Sequence, residues 1–459
     1  MASDDDRRKK PLKLKTSSFD RNFAMARMGV IAGTNMAGHT FGNLFRSKDE
    51  REERNREFYV EQAQFLADEL GRLKGSVMKV GQMLSVYGQY FMPPEVIEVL
   101  RSLQDDSPPV AWEELEPELR KRLGTKRMAE LDINPVPLAA ASLGQVHRAT
   151  RKSDGRELCV KIQYPKLAEA IDSDIRTLTR IVKVARIVPK GVELTAVMEE
   201  VREMIYREVD YSHELRMTRE FHEHLADDNR YVVPEVFEEY STDNVLVTSF
   251  EEAEHVQSEA VQGIPQERRS RLGLNALELF FNEFFDWGLV QTDPHFGNYK
   301  IRLSEDGQDQ MVLLDFGATR EFAPRFLGAY HDVVGGAFEG NADRLIQGAF
   351  DMGLLREDSP KNVKDAFAEV GFLMIEPFSE SPPERLLTPE GAYSWGESDL
   401  PWRVSKAVSR AAMSRWFRIP PREIFFLHRR LGGVFVLLAV LDAKIVARPM
   451  LASFLHPRG

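Results

Sequence analysis

Cysteine is almost missing from this chain of 459 residues: Cys159 stands alone, which excludes an intrachain disulfide framework and points to a reducing compartment. Basic excess is missing too. The 61 Lys and Arg are outnumbered by 72 Asp and Glu, for a net charge of −11, and no basic domain stands out, so nucleic acid is excluded as the expected partner. Long hydrophobic runs are few. The longest near the end, Leu431 to Leu441, covers about half a membrane span and stops at Asp442, so it reads as a buried helix. No cleavable signal peptide is visible, because Asp4 to Lys15 is charged and no apolar run follows directly; a cytoplasmic chain is expected. Tandem repeats and low-complexity tracts are absent as well. What remains, 43% hydrophobic and 29% charged, suits two or three globular units.

Residues 1–20 read as a solvated tail, an acidic triplet followed by Arg7, Arg8, Lys9, Lys10, Lys13 and Lys15; the sharper alternative is an anchor for anionic lipid. Residues 21–46 are rich in Gly, Ala and Met. Gly29 and Gly33, then Gly38 and Gly42, recur at a spacing that lets helices approach closely, which favours an interfacial or homodimer-forming helix over intramolecular packing. Asn35 and His39 argue against a full span. Residues 57–131 form an N-terminal helical extension. Its long helix, Glu57 to Tyr90, carries the stripe Leu66, Leu70, Leu73, Val77, Val80 and Leu84, with Lys79 and Gln82 together on the other side. Gly75 and Gly81 in that helix indicate close packing there. A short charged helix follows over 113–131.

A β-rich lobe is expected over 135–250: a strand entered through Ala139 to Val146, a turn at Asp154-Gly155, a strand Leu158 to Ile162, a helix ending near Glu199 to Asp210, and a strand Asn244 to Phe250. Residues 251–459 read as mainly helical, beginning with Leu272 to Trp287, whose Leu277, Phe280, Phe284 and Trp287 face the core.

The chemistry concentrates downstream. An apolar strand ends in Leu313-Leu314-Asp315-Phe316-Gly317, and upstream Asp293 is followed by Asn298 within Asp293-Pro294-His295-Phe296-Gly297-Asn298. Mg²⁺ ions on a triphosphate need hard oxygen ligands, and an acceptor hydroxyl needs a base beside the γ-phosphate. Asp315 is therefore assigned to the metal, Asn298 to a second metal position and Asp293 to proton acceptance. This order is similar to the catalytic loop and metal-binding Asp-Phe-Gly of protein kinases. The octapeptide from Ala139 fits a kinase glycine-rich loop in which Ala139 and Ala141 replace glycines while Gly144 and Val146 are retained; backbone amides from Ala139 through Ala140, Ala141, Ser142 and Gly144 would cover the phosphates. Alanine removes positive-φ freedom, so altered nucleotide preference and slow transfer are expected. Lys161, on the next strand, would pair with the α- and β-phosphates of ATP or ADP. Glu208 is the preferred carboxylate for it, with Asp210, Glu203 and Glu200 as alternatives. Phe250 and Glu251 are assigned to the adenine pocket through their backbone. His295 reads as a loop residue that packs or hydrogen-bonds rather than as a metal ligand.

Together these segments resemble the UbiB family of atypical kinase-like proteins, most closely its coenzyme Q branch. The resemblance runs from about Phe58 to the C-terminus. It rests on Leu73 to Gln82, Ala139 to Ser142, Val160 to Pro165, Glu208-Val209-Asp210, Gln291 to Pro294, Leu314 to Glu321 and Leu427 to Gly433. It implies an α+β, protein-kinase-like two-lobe fold with an N-terminal helical extension, in which Lys79 and Gln82 reach toward the nucleotide and the carboxylates of Glu208 and Asp210. It also implies exclusion of bulky protein substrates, Mg²⁺-dependent ATPase activity, peripheral association with an anionic membrane, a lipid or quinone-pathway small molecule as ligand, and a quinone-biosynthesis protein complex as partner. Two departures stand out: the membrane spans of the bacterial branch are not seen at the C-terminus, and Phe296 stands where a second Pro usually follows His. The alternative is a nucleotide-sensing scaffold or lipid chaperone without phosphoryl transfer.

Overall fold

The structure is a computed structural model that describes residues 109–140, 143–165, 171–176, 194–412 and 421–456, with 61, 97, 167 and 179 described singly. The tail 1–20, the segment 21–46, the helix expected over Glu57 to Tyr90 with Lys79 and Gln82, and the loop residues Ala141 and Ser142 lie outside the described residues. The chain divides into two compact units. One runs up to Leu215 and takes in Glu235–Phe250; the other comprises Arg216–Pro234 and everything from Glu251 on.

In the first unit, helix α1 (Trp112–Glu130) places Leu115, Leu119 and Leu123, one turn apart, on its buried face. Three strands follow: β1 (Leu131–Ala140), β2 (Gly144–Arg151) and β3 (Glu157–Gln163). After them come α2 (Leu194–Glu208), α3 (Tyr211–His224), the short β4 (Tyr231–Val232) of the second unit, and β5 (Val245–Ser249). The sheet runs β1-β2-β3-β5 and is antiparallel throughout. Strand alternation puts Leu158, Val160 and Ile162 in the core that α1 covers, joined by Phe237, Val245 and Val247. Each such side chain contributes about 1.5–3 kcal/mol. Cys159 and Lys161 fall on the opposite face. Gly155, at φ +73°, makes the β2–β3 turn, a conformation that glycine adopts without strain.

Two elements differ from the sequence reading. The sheet starts at Leu131, before Pro135, because β1 is an edge strand where proline removes no ladder hydrogen bond. The helix read as ending near Glu199 to Asp210 does end there, at Glu208, and a second helix, unread, follows from Tyr211. The carboxylate of Asp210 accepts from the His213 N–H at 2.9 Å and caps this second helix.

The second unit, which takes in α3 from Arg216 and β4, continues with β6 (Glu254–His255) and α4 (Gln266–Phe281), which runs on into a π-helical turn over Asn282–Asp286. Leu277, Phe280 and Phe284 are buried as expected. Trp287 is half-buried and stacks on His224 at 4.4 Å. Strands β7 (Leu289–Gln291), β8 (Tyr299–Arg302), β9 (Gln310–Leu313) and β10 (Thr319–Glu321) follow, in a sheet β4-β9-β8-β6 and a β7–β10 ladder. Helices α5 (Pro324–Glu339), α6 (Ala342–Asp351), α7 (Lys361–Met374), α8 (Leu400–Ala412) and α9 (Arg422–Val440) complete what the site needs. Val434, Phe435, Leu437 and Leu438 of α9 are buried, so the apolar run near the end belongs to a core helix. No helix among the described residues is long and apolar enough to cross a membrane.

Candidate active site

In the first unit, β3 holds Lys161 between Val146 of β2 and Leu246 of β5. Its ammonium donates to both carboxylate oxygens of Glu214, at 2.7 and 2.8 Å, and lies 5.2 Å from the Tyr211 ring centroid. Glu214 is 3% exposed, so this pair is shielded from water on the acidic side. The expectation of Glu208 as partner is thus corrected: the carboxylate comes from the first turn of α3. Asp210 starts that turn, and the Gln163 side chain ties β3 to the junction by donating to the Val209 carbonyl at 2.9 Å. Glu208 itself ends α2.

Ala139 and Ala140 close β1 opposite Val146 and Gln145. Gly144 is required for space. A Cβ there would meet the Ile162 carbonyl oxygen at 2.6 Å and the Tyr211 hydroxyl at 2.8 Å. Phe250 ends the unit with its N–H donated to the Glu157 carbonyl at 3.0 Å and its ring under the Arg148 guanidinium at 4.3 Å. Glu251, where the second unit resumes, is paired with Arg302 at 2.6 Å.

In the second unit, β7 and β8 flank the loop from Thr292 to Asn298, and the ladder of β10 on β7 brings the Asp315 segment beside it. Gln291, 3% exposed, joins the two. Its Nε2 donates to the main-chain carbonyls of Asp293 and Asp315, each at 3.0 Å, and its Oε1 accepts from the Asp293 N–H at 3.1 Å. The Asn298 amide donates to Asp293 O at 3.0 Å and Oδ2 at 3.2 Å. Asp315 Oδ1 accepts from the Gly317 N–H at 2.9 Å. Phe316 is buried against Phe221, ring centroids 4.6 Å apart. His295 Nδ1 accepts from the Gly297 N–H at 3.0 Å and so caps the loop, as read.

Beneath the loop lies a buried polar relay that sequence reading missed. Arg430 of α9 grips Glu283 at 2.7 and 3.1 Å and donates to the Tyr299 hydroxyl at 2.5 Å; that hydroxyl donates to Gln291 Oε1 at 2.9 Å. Burial pushes the Glu283 carboxyl up while Arg430 pulls it back. Burial lowers Arg430, and Glu283 and Tyr299 more than offset this, so the guanidinium stays charged. Beside it, Arg429 donates to Asp293 Oδ1 at 2.5 Å. Adjacent arginines on a helix, in the segment Leu427 to Gly433, were the one signal available. Glu283 gave none, because only the π-turn aims it inward.

The first unit thus holds a lysine paired with a buried carboxylate, and the second holds Asp293 and Asn298 on a braced loop with the Asp315 segment beside it. The side-chain oxygens of Asn298 and Asp315 are hard donors of the kind Mg²⁺ takes; among the described residues no group of three or more His, Cys, Asp and Glu that could hold a metal ion is found. The comparisons agree. An ABC1 atypical kinase-like domain matches residues 102–349. The mitochondrial atypical kinase COQ8B of Rattus norvegicus is 34% identical over 86% of this chain and 72% of its own length. The mitochondrial atypical kinase coq-8 of Caenorhabditis elegans is 30% identical over 92% of this chain, which spans 55% of that relative. A solved structure of Rv3197 with erythromycin, from Mycobacterium tuberculosis, superposes with a TM-score of 0.57 at 28% identity, covering 90% of this chain and all of that one. The class is α+β protein-kinase-like. Within it, the chain belongs to the ABC1 atypical kinase-like family, the UbiB family of the resemblance above.

Proposed function

We propose that this protein is a Mg²⁺-dependent ATPase or atypical kinase that works at a membrane surface in support of isoprenoid quinone biosynthesis or lipid homeostasis. The reading is carried by the Gln291 side chain, which fastens the backbones of Asp293 and Asp315 to each other. Asp315 and the Asn298 carbonyl would hold Mg²⁺, which supplies charge neutralisation on the phosphates. Lys161, kept in place by Glu214, orients the α- and β-phosphates of ATP. Asp293 accepts the proton of the attacking hydroxyl or water. Lys79 and Gln82 are proposed to reach this nucleotide with Glu208 and Asp210, and the backbone from Ala139 to Val146 to cover it; Phe250 and Glu251 border its base. The acceptor is proposed to be a lipid or quinone-pathway small molecule, and the partners an anionic bilayer, a second copy of the chain and quinone-biosynthesis proteins. The relatives' names place them in mitochondria, beside which the cytoplasmic expectation stands as a proposal.

A second reading, a nucleotide-sensing scaffold, is favoured by one observation: both Asp293 carboxylate oxygens are engaged, by Arg429 and by Asn298. Two measurements decide. Mg-ATP should raise the melting temperature of the wild type, and Asp315→Asn should abolish the shift; an unchanged shift refutes the metal assignment. Steady-state phosphate release, with and without anionic vesicles, should exceed that of Asp293→Asn. No excess leaves the scaffold.

A further inference from the structure

Resting on the membrane-surface reading, we propose that the N-terminal half of α8 is the face that seats on an anionic bilayer. A chain of net charge −11 is repelled by such a surface unless part of it is locally cationic. Between Asp399 and Glu423 there is no acidic residue, while Arg403, Lys406, Arg410, Arg415, Arg418 and Arg422 are all basic.

Of these, Arg403 and Lys406 are the ones whose placement on the helix is described. Leu400 and Ala407 are buried, at 1% and 7% exposure. Arg403 is committed to the protein, donating to both oxygens of Glu376 at 2.6 and 2.7 Å and to Asp399 at 2.8 Å. These contacts fix the helix and turn Pro401, Trp402 and Lys406 outward. Trp402 is 63% exposed, the one aromatic among the exposed large hydrophobic side chains of the described residues. The Lys406 ammonium lies 4.9 Å from its ring centroid. An indole and an ammonium side by side match the headgroup layer, where the ring inserts shallowly and the charge meets lipid phosphate. A protein hot spot would instead need the ring enclosed in a packed pocket.

The test uses the full chain and sedimentation with vesicles of phosphatidylcholine, alone or mixed with phosphatidylglycerol. The wild type should partition onto the mixed vesicles, less so in high salt. Each basic residue at the surface is worth about five-fold in partitioning, so Lys406→Glu should lower it about ten-fold or more, and Trp402→Ala about five-fold. Lys121→Glu, the same charge change on exposed α1, should leave it near the wild-type value. The Mg-ATP melting shift should be unaltered in all three. Unchanged partitioning of both α8 variants, an equal loss in Lys121→Glu, or equal binding to neutral vesicles overturns the docking face and leaves membrane association standing. No wild-type binding to either vesicle overturns the membrane reading and this inference with it.

Discussion

Lys161 was singled out by its place on the strand that follows the Ala139 to Val146 loop, and strand alternation sets it opposite the apolar face of Leu158, Val160 and Ile162. Its partner was missed. Glu208 ends one helix and Glu214 sits in the first turn of the next, and only the Asp210 cap, which starts that second helix, decides which carboxylate faces the lysine. Lys161→Met leaves Glu214, 3% exposed, without that cation and should cost about 2 kcal/mol in urea unfolding. Glu214→Gln should keep the fold and weaken Mg-ATP binding, read by titration. Arg430 and Glu283, at 3% and 1% exposure, form a buried pair whose severing by Arg430→Met should cost about 3–5 kcal/mol and lower phosphate release. Arg430→Lys should not restore release, because one ammonium cannot reproduce the paired contact to Glu283 together with the bond to Tyr299.

His428 adds a pH dependence. Burial lowers its pKa from 6.5 to about 4, so between those values the unfolded chain takes up a proton that the folded chain refuses. Stability should be level above pH 6.5 and fall as pH drops toward 4, by about 3 kcal/mol. His428→Phe should flatten that limb in melting curves taken across the window.

Among elements, α9 is the one whose sequence was noticed and whose purpose was hidden. A core helix was expected from its apolar run, and a core helix is found. Its Arg429, Arg430 and Gly433 also brace the loop that carries Asp293. A Cβ on Gly433 would lie 1.9 Å from Pro294 Cβ, so that glycine exists for contact, with backbone conformation playing no part. Gly433→Ala should push the loop, cost about 1–3 kcal/mol, and reduce the rate of phosphate release more than nucleotide affinity. The same logic applies to Gly144, retained where the flanking loop positions became alanine. Periodicity detects which residues are apolar and how they recur; it carries no information on how closely a neighbouring backbone approaches.

For the molecule as a whole, the motif order along the chain spans both compact units, with Lys161 in one and Asp293, Asn298 and Asp315 in the other. If one nucleotide uses all four, Mg-ATP should slow hydrogen exchange at β3 of the first unit and at the loop Thr292 to Asn298 of the second together, and Asp315→Asn should remove both effects. Protection confined to one unit would contradict the shared role.

By itself the amino-acid sequence determined the class of fold and the family, because those depend on residue type, order and spacing along the chain; it also put forward a lysine, two aspartates and an asparagine as the chemistry-bearing set. Tertiary structure alone decided that Glu214 holds Lys161, that Gln291 joins the two aspartate segments, and that Arg430, Glu283 and Tyr299 support them from below. Those partners are tens to hundreds of residues apart, or are aimed by a cap and a π-turn. Such pairings are set by three-dimensional approach and by the need to satisfy buried charge, and no local pattern encodes either.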